Sequence, residues 1–308
     1  MVVALTVAIV VAGVGLALTF PDRLSIERRP DRPEFDDVPA PASLDVETLE
    51  PNLSIIRGGG GTTAVFVTHQ GVVLVDPKFA ASWPALERAV RTITPLPITH
   101  VIVTHFHNDH AEAVAVLPPS VKVVAQAHAV ERLIFFRHLP DDALVTGRAV
   151  SYQERLALFD GAERIRLFWP GALHTNGDTI VSFEAARVLH MGDVFPGKRF
   201  PIAHIEGGGD GTRFAAGMQT VLREFPDATR IITGHSDVMG RDDVAEFGEF
   251  MGTITAYVDR EMGMFRDKNA VFRGLVLPTK FADYDRARQF DTMDEIDRSL
   301  RPRWQRVF

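Results

Sequence analysis

Three histidines and one aspartate fall within six residues of this chain, at His105, His107, Asp109 and His110. They follow an apolar run at residues 101–103 that predicts a buried strand. Alternate residues that leave a strand end can turn two imidazoles toward one ion, and the next residues can offer a carboxylate and a third imidazole to a second ion. Imidazole and carboxylate ligands with an open coordination position are typical of hydrolytic zinc sites. The spacing therefore predicts a metal site at the end of a strand.

Further candidate ligands lie downstream, each beside a strand-like segment. His174 occupies a turn flanked by glycines, Asp193 closely follows one apolar run, and His235 closely follows another. Because one loop cannot supply every ligand of a two-metal site, these three side chains are the expected remainder.

The order H-x-H-x-D-H, then His, then Asp, then Gly-His resembles the metallo-β-lactamase-fold hydrolases over about residues 50–240. The set is similar to that of the dinuclear members of the hydroxyacylglutathione hydrolase and lactonase type. The resemblance implies an α/β fold, the αββα four-layer sandwich of that family, preceded here by an N-terminal hydrophobic segment.

The resemblance also implies the role of each ligand. The first ion would be bound by His105, His107 and His174, the second by Asp109, His110 and His235, and Asp193 would bridge the two. Two Zn²⁺ ions roughly 3.5–4 Å apart are expected, and the N/O ligands would also suit Mn or Fe. The expected nucleophile is a hydroxide between the ions, with Asp109 as the catalytic residue that orients it and passes its proton on.

The same comparison implies a class of reaction. Penicillin-degrading members have Cys or Ser where Asp193 stands, which disfavours β-lactamase activity. Hydrolysis of an ester, thioester, lactone or related small-molecule bond is the expected function. Two alternatives stay open: a mononuclear iron sulfur-dioxygenase-like oxidoreductase that uses part of the same ligand set, and a non-catalytic metal-binding membrane protein.

Several segments around the ligands carry their own predictions. The four glycines at 58–61 predict a flexible loop near the site, and Asp76 resembles the family carboxylate that lies behind the metal loop. Residues 195–209 contain two prolines and a glycine run and are predicted to lie on the surface beside the pocket. Within that segment His204 is predicted to contact the substrate, and Lys198 and Arg199 are candidates to bind an anionic group. The remaining histidines, at 69, 100, 128, 138 and 190, match no ligand position.

The amino terminus is almost wholly apolar over residues 2–20. At about 1.5 Å per residue, a helix of this length approaches the thickness of a bilayer. Residues 1–20 are therefore predicted as a membrane anchor or signal peptide, with an anchor favoured. The four arginines between residues 23 and 32 leave the side of the membrane open, and a membrane-associated or exported location in the cell envelope is expected.

The rest of the chain divides into a Pro-rich linker at 21–45, a catalytic domain at 46–260 and a helical extension at 261–308 that packs on it. A helical segment is predicted at 282–300. With 308 residues and 46% hydrophobic composition, the chain can bury one large core.

Charge and cysteine content limit the partners. A formal charge of −7 without a basic block argues against a nucleic-acid partner, because phosphate binding requires clustered Lys and Arg. The absence of cysteine excludes disulfides and thiolate ligands. A small-molecule substrate is expected, and the oligomeric state is left open.

Overall fold

The structure, a computed structural model, describes residues 36–41, 43–264 and 266–304. The predicted hydrophobic segment at 1–20 and most of the linker at 21–45 lie outside these residues, so the anchor stays a prediction. Within the described part of the chain, no helix is both long enough and apolar enough to cross a bilayer.

The first sheet has seven strands in chain order. They are β1 Asp45–Glu50, β2 Leu53–Arg57, β3 Thr63–Thr68, β4 Gly71–Val75, β5 Ile98–Ile102, β6 Lys122–Gln126 and β7 Ala149–Tyr152. Strands β1 to β4 form an antiparallel meander, and β4 to β7 run parallel. The sequence indicated neither β1, a largely exposed and charged edge strand, nor β7, a four-residue strand inside an interval without clear periodicity.

The second sheet has six strands, which in chain order are β8 Arg155–Leu158, β9 Ile165–Phe168, β10 Ile180–Phe183, β11 Val188–His190, β12 Arg230–Ile232 and β13 Met239–Gly240. Their order across the sheet is β13-β12-β11-β10-β9-β8. The pair β11 and β12 is parallel, and the other pairs are antiparallel.

Seven α-helices are described. They are α1 Trp83–Ile93, α2 Asn108–Ala111, α3 Ala127–Phe135, α4 Phe214–Glu224, α5 Arg241–Gly263, α6 Lys268–Arg273 and α7 Gln289–Trp304. The predicted boundary at residue 260 falls inside α5. The helix predicted from residue 282 begins only at Gln289, because Asp285 instead pairs with Arg199 in a short parallel bridge.

The core has three layers that follow from the alternation of side chains along strands. On β3 and β4, Val65 and Leu74 face α1 and α3, whereas Phe66 and Val73 face the second sheet. The other face of the second sheet packs against α4 to α7. This arrangement of helix, sheet, sheet and helix confirms the predicted αββα sandwich.

The ligand-bearing loops meet because parallel strands end at a common edge of their sheet. Asp76 directly follows β4, and the metal loop follows β5. In the facing sheet, Asp193 follows β11 and His235 follows β12. The two sheets thus place four separate loops around one location.

Candidate metal centre

The first group of candidate ligands brings three imidazole nitrogens together. His107 Nδ1 lies 3.1 Å from His105 Nε2 and 2.9 Å from His174 Nε2. Zinc–nitrogen bonds of about 2.0–2.1 Å in a tetrahedron would separate two ligands by about 3.3 Å. The spacing and chemistry of this group therefore fit a zinc ion.

The second group lies beside the first and contains Asp109, His110 and His235. His235 Nε2 is 3.1 Å from Asp109 Oδ2 and 3.2 Å from His110 Nε2, and the distance from His110 Nε2 to Asp109 Oδ2 is 3.5 Å. Two imidazoles and a carboxylate at this spacing also suit a divalent ion.

Asp193 lies between the two groups. Its Oδ1 is 3.3 Å from the Nε2 atoms of both His110 and His235, and its Oδ2 is 3.8 Å from His174 Nε2. One carboxylate oxygen thus faces each group, which is the arrangement expected of a bridging ligand. The structure brings together all seven side chains that the sequence proposed as ligands.

The two groups differ in charge before metal binds. Burial lowers the pKa of His105, His107 and His174, so these imidazoles are neutral. Burial would also lower the pKa of His110 and His235, but neighbouring carboxylates outweigh it. They hold the pKa of His110 well above its usual value and raise that of His235 to about 9. A metal entering the second group must therefore displace protons.

Partners outside the centre fix the orientation of two imidazoles. His174 Nδ1 donates to the carbonyl oxygen of Ile202 at 2.8 Å, and His110 Nδ1 donates to Asp76 Oδ2 at 2.7 Å. Because both partners accept the Nδ1 proton, Nε2 is the atom that each ring, once neutral, presents to the centre with its lone pair.

Asp76 is fully buried behind the metal loop, as its resemblance to the family carboxylate predicted. It also accepts from the backbone N–H and the hydroxyl of Thr104, both at 2.7 Å. The same carboxylate therefore positions the start of the metal loop and one of its ligands.

Asp178 is a positioning residue that the sequence analysis missed. This buried carboxylate accepts from the backbone N–H groups of Leu173, His174 and Thr175, and from the Thr175 hydroxyl at 2.6 Å. Burial raises the pKa of Asp178 to about 7 despite these hydrogen bonds. Its place directly after an Asn-Gly pair was the available signal, because such pairs mark tight turns.

The glycine run packs directly against the metal loop. Gly61 donates to the carbonyl oxygen of Asp109 at 2.8 Å, and a Cβ on Gly61 would overlap the ring of His110. Buried Lys78, also missed from the sequence, donates to the carbonyl oxygens of Ile56 and Gly61. These glycines therefore allow the close approach of two backbones.

A cavity of about 510 Å³ opens beside the centre. The aromatic side chains of Phe106, Phe136, His138 and His204 line it, and Asp109 faces it from the metal loop. The rings of Phe106 and Phe136 are stacked, with centroids 6.0 Å apart. His204, the predicted substrate contact, thus lies at the cavity.

The segment at 195–209 differs from its prediction. Phe195, Phe200 and Ala203 are buried rather than on the surface, because the two phenylalanine rings pack against α5 and Ala203 lies against α7. Lys198 pairs with Glu246 and Asp283 and does not line the cavity. The expectation that Lys198 binds an anionic substrate group is therefore not supported.

Known structures with the same fold include two metallo-β-lactamases and a sulfatase. DIM-1 metallo-β-lactamase matches 68% of this chain and 98% of its own, with 16% identity and a TM-score of 0.58. The metallo-β-lactamase from Pontibacter korlensis matches 68% and 99%, with 16% identity and a TM-score of 0.57. The sec-alkylsulfatase Pisa1 from Pseudomonas sp. matches 84% of this chain and 50% of its own, with 15% identity and a TM-score of 0.65. At these identities the likeness concerns the fold.

The family model described as the metallo-beta-lactamase superfamily matches residues 57–235. This range contains all seven candidate ligands and most of both sheets. The chain therefore belongs to the metallo-beta-lactamase superfamily, and its candidate metal centre is that of a metal-dependent hydrolase.

Proposed function

We propose that the chain is a zinc-dependent hydrolase that binds two ions and cleaves an ester, thioester, lactone or related bond of a small molecule. The observation that carries this proposal is the convergence of two adjacent ligand groups with Asp193 between them. Three neutral imidazoles form one group, and a carboxylate with two imidazoles forms the other.

The side chains of the site have separate roles in the proposed reaction. A bound pair of divalent ions would supply Lewis acidity and lower the pKa of water to near neutrality. The Asp109 carboxylate faces both the cavity and the second ligand group, so it is placed to orient the attacking water and accept its proton. Asp76 and Asp178 keep the ligand loops in place while this occurs.

The cavity favours an uncharged substrate with an apolar group. Among the described residues, no lysine or arginine side chain lines it, whereas two phenylalanines, three histidines and two aspartates do. Aromatic rings bind apolar or aromatic groups by stacking and by excluding water. Asp193 replaces the Cys or Ser of penicillin-degrading relatives, so a β-lactam is not the proposed substrate.

The test is turnover by zinc-loaded protein on a matched panel: a phenyl ester, an acyl thioester, a lactone and a phosphodiester. We expect hydrolysis of at least one carbonyl substrate, its loss on chelation and its return with zinc. His174→Ala should lower this activity, and His128→Ala, at a histidine outside the ligand groups, should not. Absence of turnover across the carbonyl substrates in protein with two bound zincs would contradict the proposal.

A further inference from the structure

We propose that Glu295, on the C-terminal helix α7, is a positioning residue for the first metal-binding group. This inference rests on the proposed function only for the identity of the ligands. Glu295 lies outside the region that matches the family model, 57–235. The helix that carries it would therefore be part of the functional site.

The connection passes through a single peptide group. Glu295 Oε2 accepts from the backbone N–H of Ala203 at 2.7 Å, and the carbonyl oxygen of Ile202 accepts from His174 Nδ1 at 2.8 Å. That N–H and that carbonyl belong to the same planar peptide unit. The carboxylate and the imidazole are thus joined by two hydrogen bonds across one rigid plane.

These two hydrogen bonds affect both the position of the His174 ring and the basicity of its Nε2 atom. Burial raises the pKa of Glu295 to about 7, and above that pH, where the zinc titrations are made, its side chain is a carboxylate. A carboxylate that accepts from the N–H polarises the peptide and makes its carbonyl oxygen a better acceptor. A stronger acceptor at Nδ1 makes Nε2 a more basic metal ligand. Glu295 is therefore expected to tighten metal binding without touching the metal.

The residue after Ala203 also contacts a second candidate ligand of the first group. The backbone N–H of His204 donates to the carbonyl oxygen of His174 at 2.8 Å, and His204 Nδ1 lies 2.7 Å from His107 Nε2. The bond from Glu295 to Ala203 thus restrains both neighbours of Ala203. Ile202 contacts His174, and His204 contacts both His174 and His107.

Glu295 occupies the middle of a helix face that is fixed on both sides. One turn before it, the Thr292 hydroxyl donates to the carbonyl oxygen of Pro201, and one turn after it Ser299 Oγ accepts from Gly211 N at 3.2 Å. Met293 and Ile296 are fully buried in the core that α7 shares with α5. The carboxylate is thus held by a well-packed helix.

The experiment compares Glu295→Ala, Glu295→Gln and a matched control, Asp294→Ala, in the full chain. Asp294 is the neighbouring carboxylate on α7, but it pairs with Lys268 on α6. The two zinc dissociation constants are measured by competition titration, and the visible spectrum of the cobalt-loaded protein reports the ligand field. Thermal unfolding shows that each variant is folded.

We expect Glu295→Ala to weaken binding at the first group by about 5- to 10-fold, no more than the lower end of the effect of losing a direct partner of a metal-binding histidine, because His174 keeps its bond to Ile202. Glu295→Gln keeps an acceptor for the Ala203 N–H and should weaken zinc binding at the first group about two- to fivefold, because a neutral amide is a weaker acceptor than a carboxylate. Both variants should shift the cobalt spectrum. Asp294→Ala should leave both zinc constants within about twofold of wild type.

Wild-type zinc constants in folded Glu295→Ala would overturn the proposal. If that variant does not fold, Glu295→Gln decides, and a wild-type constant and spectrum there would equally overturn it. The readout is metal binding, so a failure of hydrolysis on every substrate would contradict the proposed function and leave this test intact.

Discussion

Replacing Asp76 with asparagine tests how the chain prepares the second group of ligands. The substitution keeps the shape of the side chain and removes its charge. Oδ1 can still accept from the Thr104 N–H, but an amide nitrogen in place of Oδ2 would face His110 Nδ1. A donor there favours the tautomer with the proton on Nε2, the atom that faces the centre.

Two opposing contributions determine how much Asp76→Asn changes the zinc affinity of the second group. Losing a hydrogen-bond partner of a metal-binding histidine typically costs 10- to 100-fold in affinity, or about 1.4 to 2.8 kcal/mol. In the other direction, Asp76 helps to raise the pKa of His110, so its removal makes that ring easier to deprotonate. The tautomer penalty remains after deprotonation, and we expect a net weakening of about 10-fold.

The assay is a zinc competition titration of Asp76→Asn beside Thr104→Val. The valine variant loses the hydroxyl bond to Asp76 and the 3.1 Å contact with His105 Nδ1 in the first group, but it keeps the acceptor for His110 in the second group. We expect the second zinc to bind about 10-fold more weakly in Asp76→Asn and within about threefold of wild type in Thr104→Val. An unchanged second constant in folded Asp76→Asn, or a loss confined to the first zinc, would refute the reasoning.

The remaining predictions concern pH and the cavity. His235 has a pKa of about 9 without metal, so zinc must displace a proton from it at lower pH. The affinity of the second group for zinc should therefore rise about tenfold per pH unit for each displaced proton between pH 7 and 9. Zinc titrations at several pH values would contradict this if the affinities of both groups changed equally with pH. The stabilising contribution of this charged imidazole to the metal-free fold is complete below its ordinary pKa of 6.5 and is lost as the pH rises through about 9, so metal-free protein should lose thermal stability over that interval. Phe136→Ala should raise KM for a phenyl-bearing ester about three- to tenfold with little change for an acetyl ester. Phe290→Ala, at an exposed phenylalanine of α7 that does not line the cavity, is the control, and equal effects in both variants would argue against the aromatic wall.

The convergence of the seven candidate ligands was predictable, because four of them lie close together in the sequence and the others lie near apolar strands. His105, His107, Asp109 and His110 lie in one loop, so their proximity needs no knowledge of the fold. Asp193 and the other distant ligands follow buried strands, and strand ends of an α/β sandwich meet at one edge. Order along the chain therefore carried most of the information about the centre.

The residues that support the ligands could not be predicted, because their contacts join parts of the chain that are far apart in the sequence. Glu295 meets Ala203 across 92 positions, and only the packing of α7 on the second half of the domain brings them together. Lys78 is buried because the glycine run leaves room for its side chain beneath the metal loop. Prolines and glycines suggested an exposed segment at 195–209, but tertiary packing overrode that local pattern.

The most direct test of the central claim is the metal content of the purified full chain, measured by elemental analysis together with hydrolysis of the carbonyl panel. We expect two zincs per chain, with loss of activity and of bound zinc in Asp193→Ala, because that carboxylate faces both groups. One iron per chain without hydrolysis would contradict the account and favour the dioxygenase-like alternative, which oxygen uptake on a persulfide would then establish.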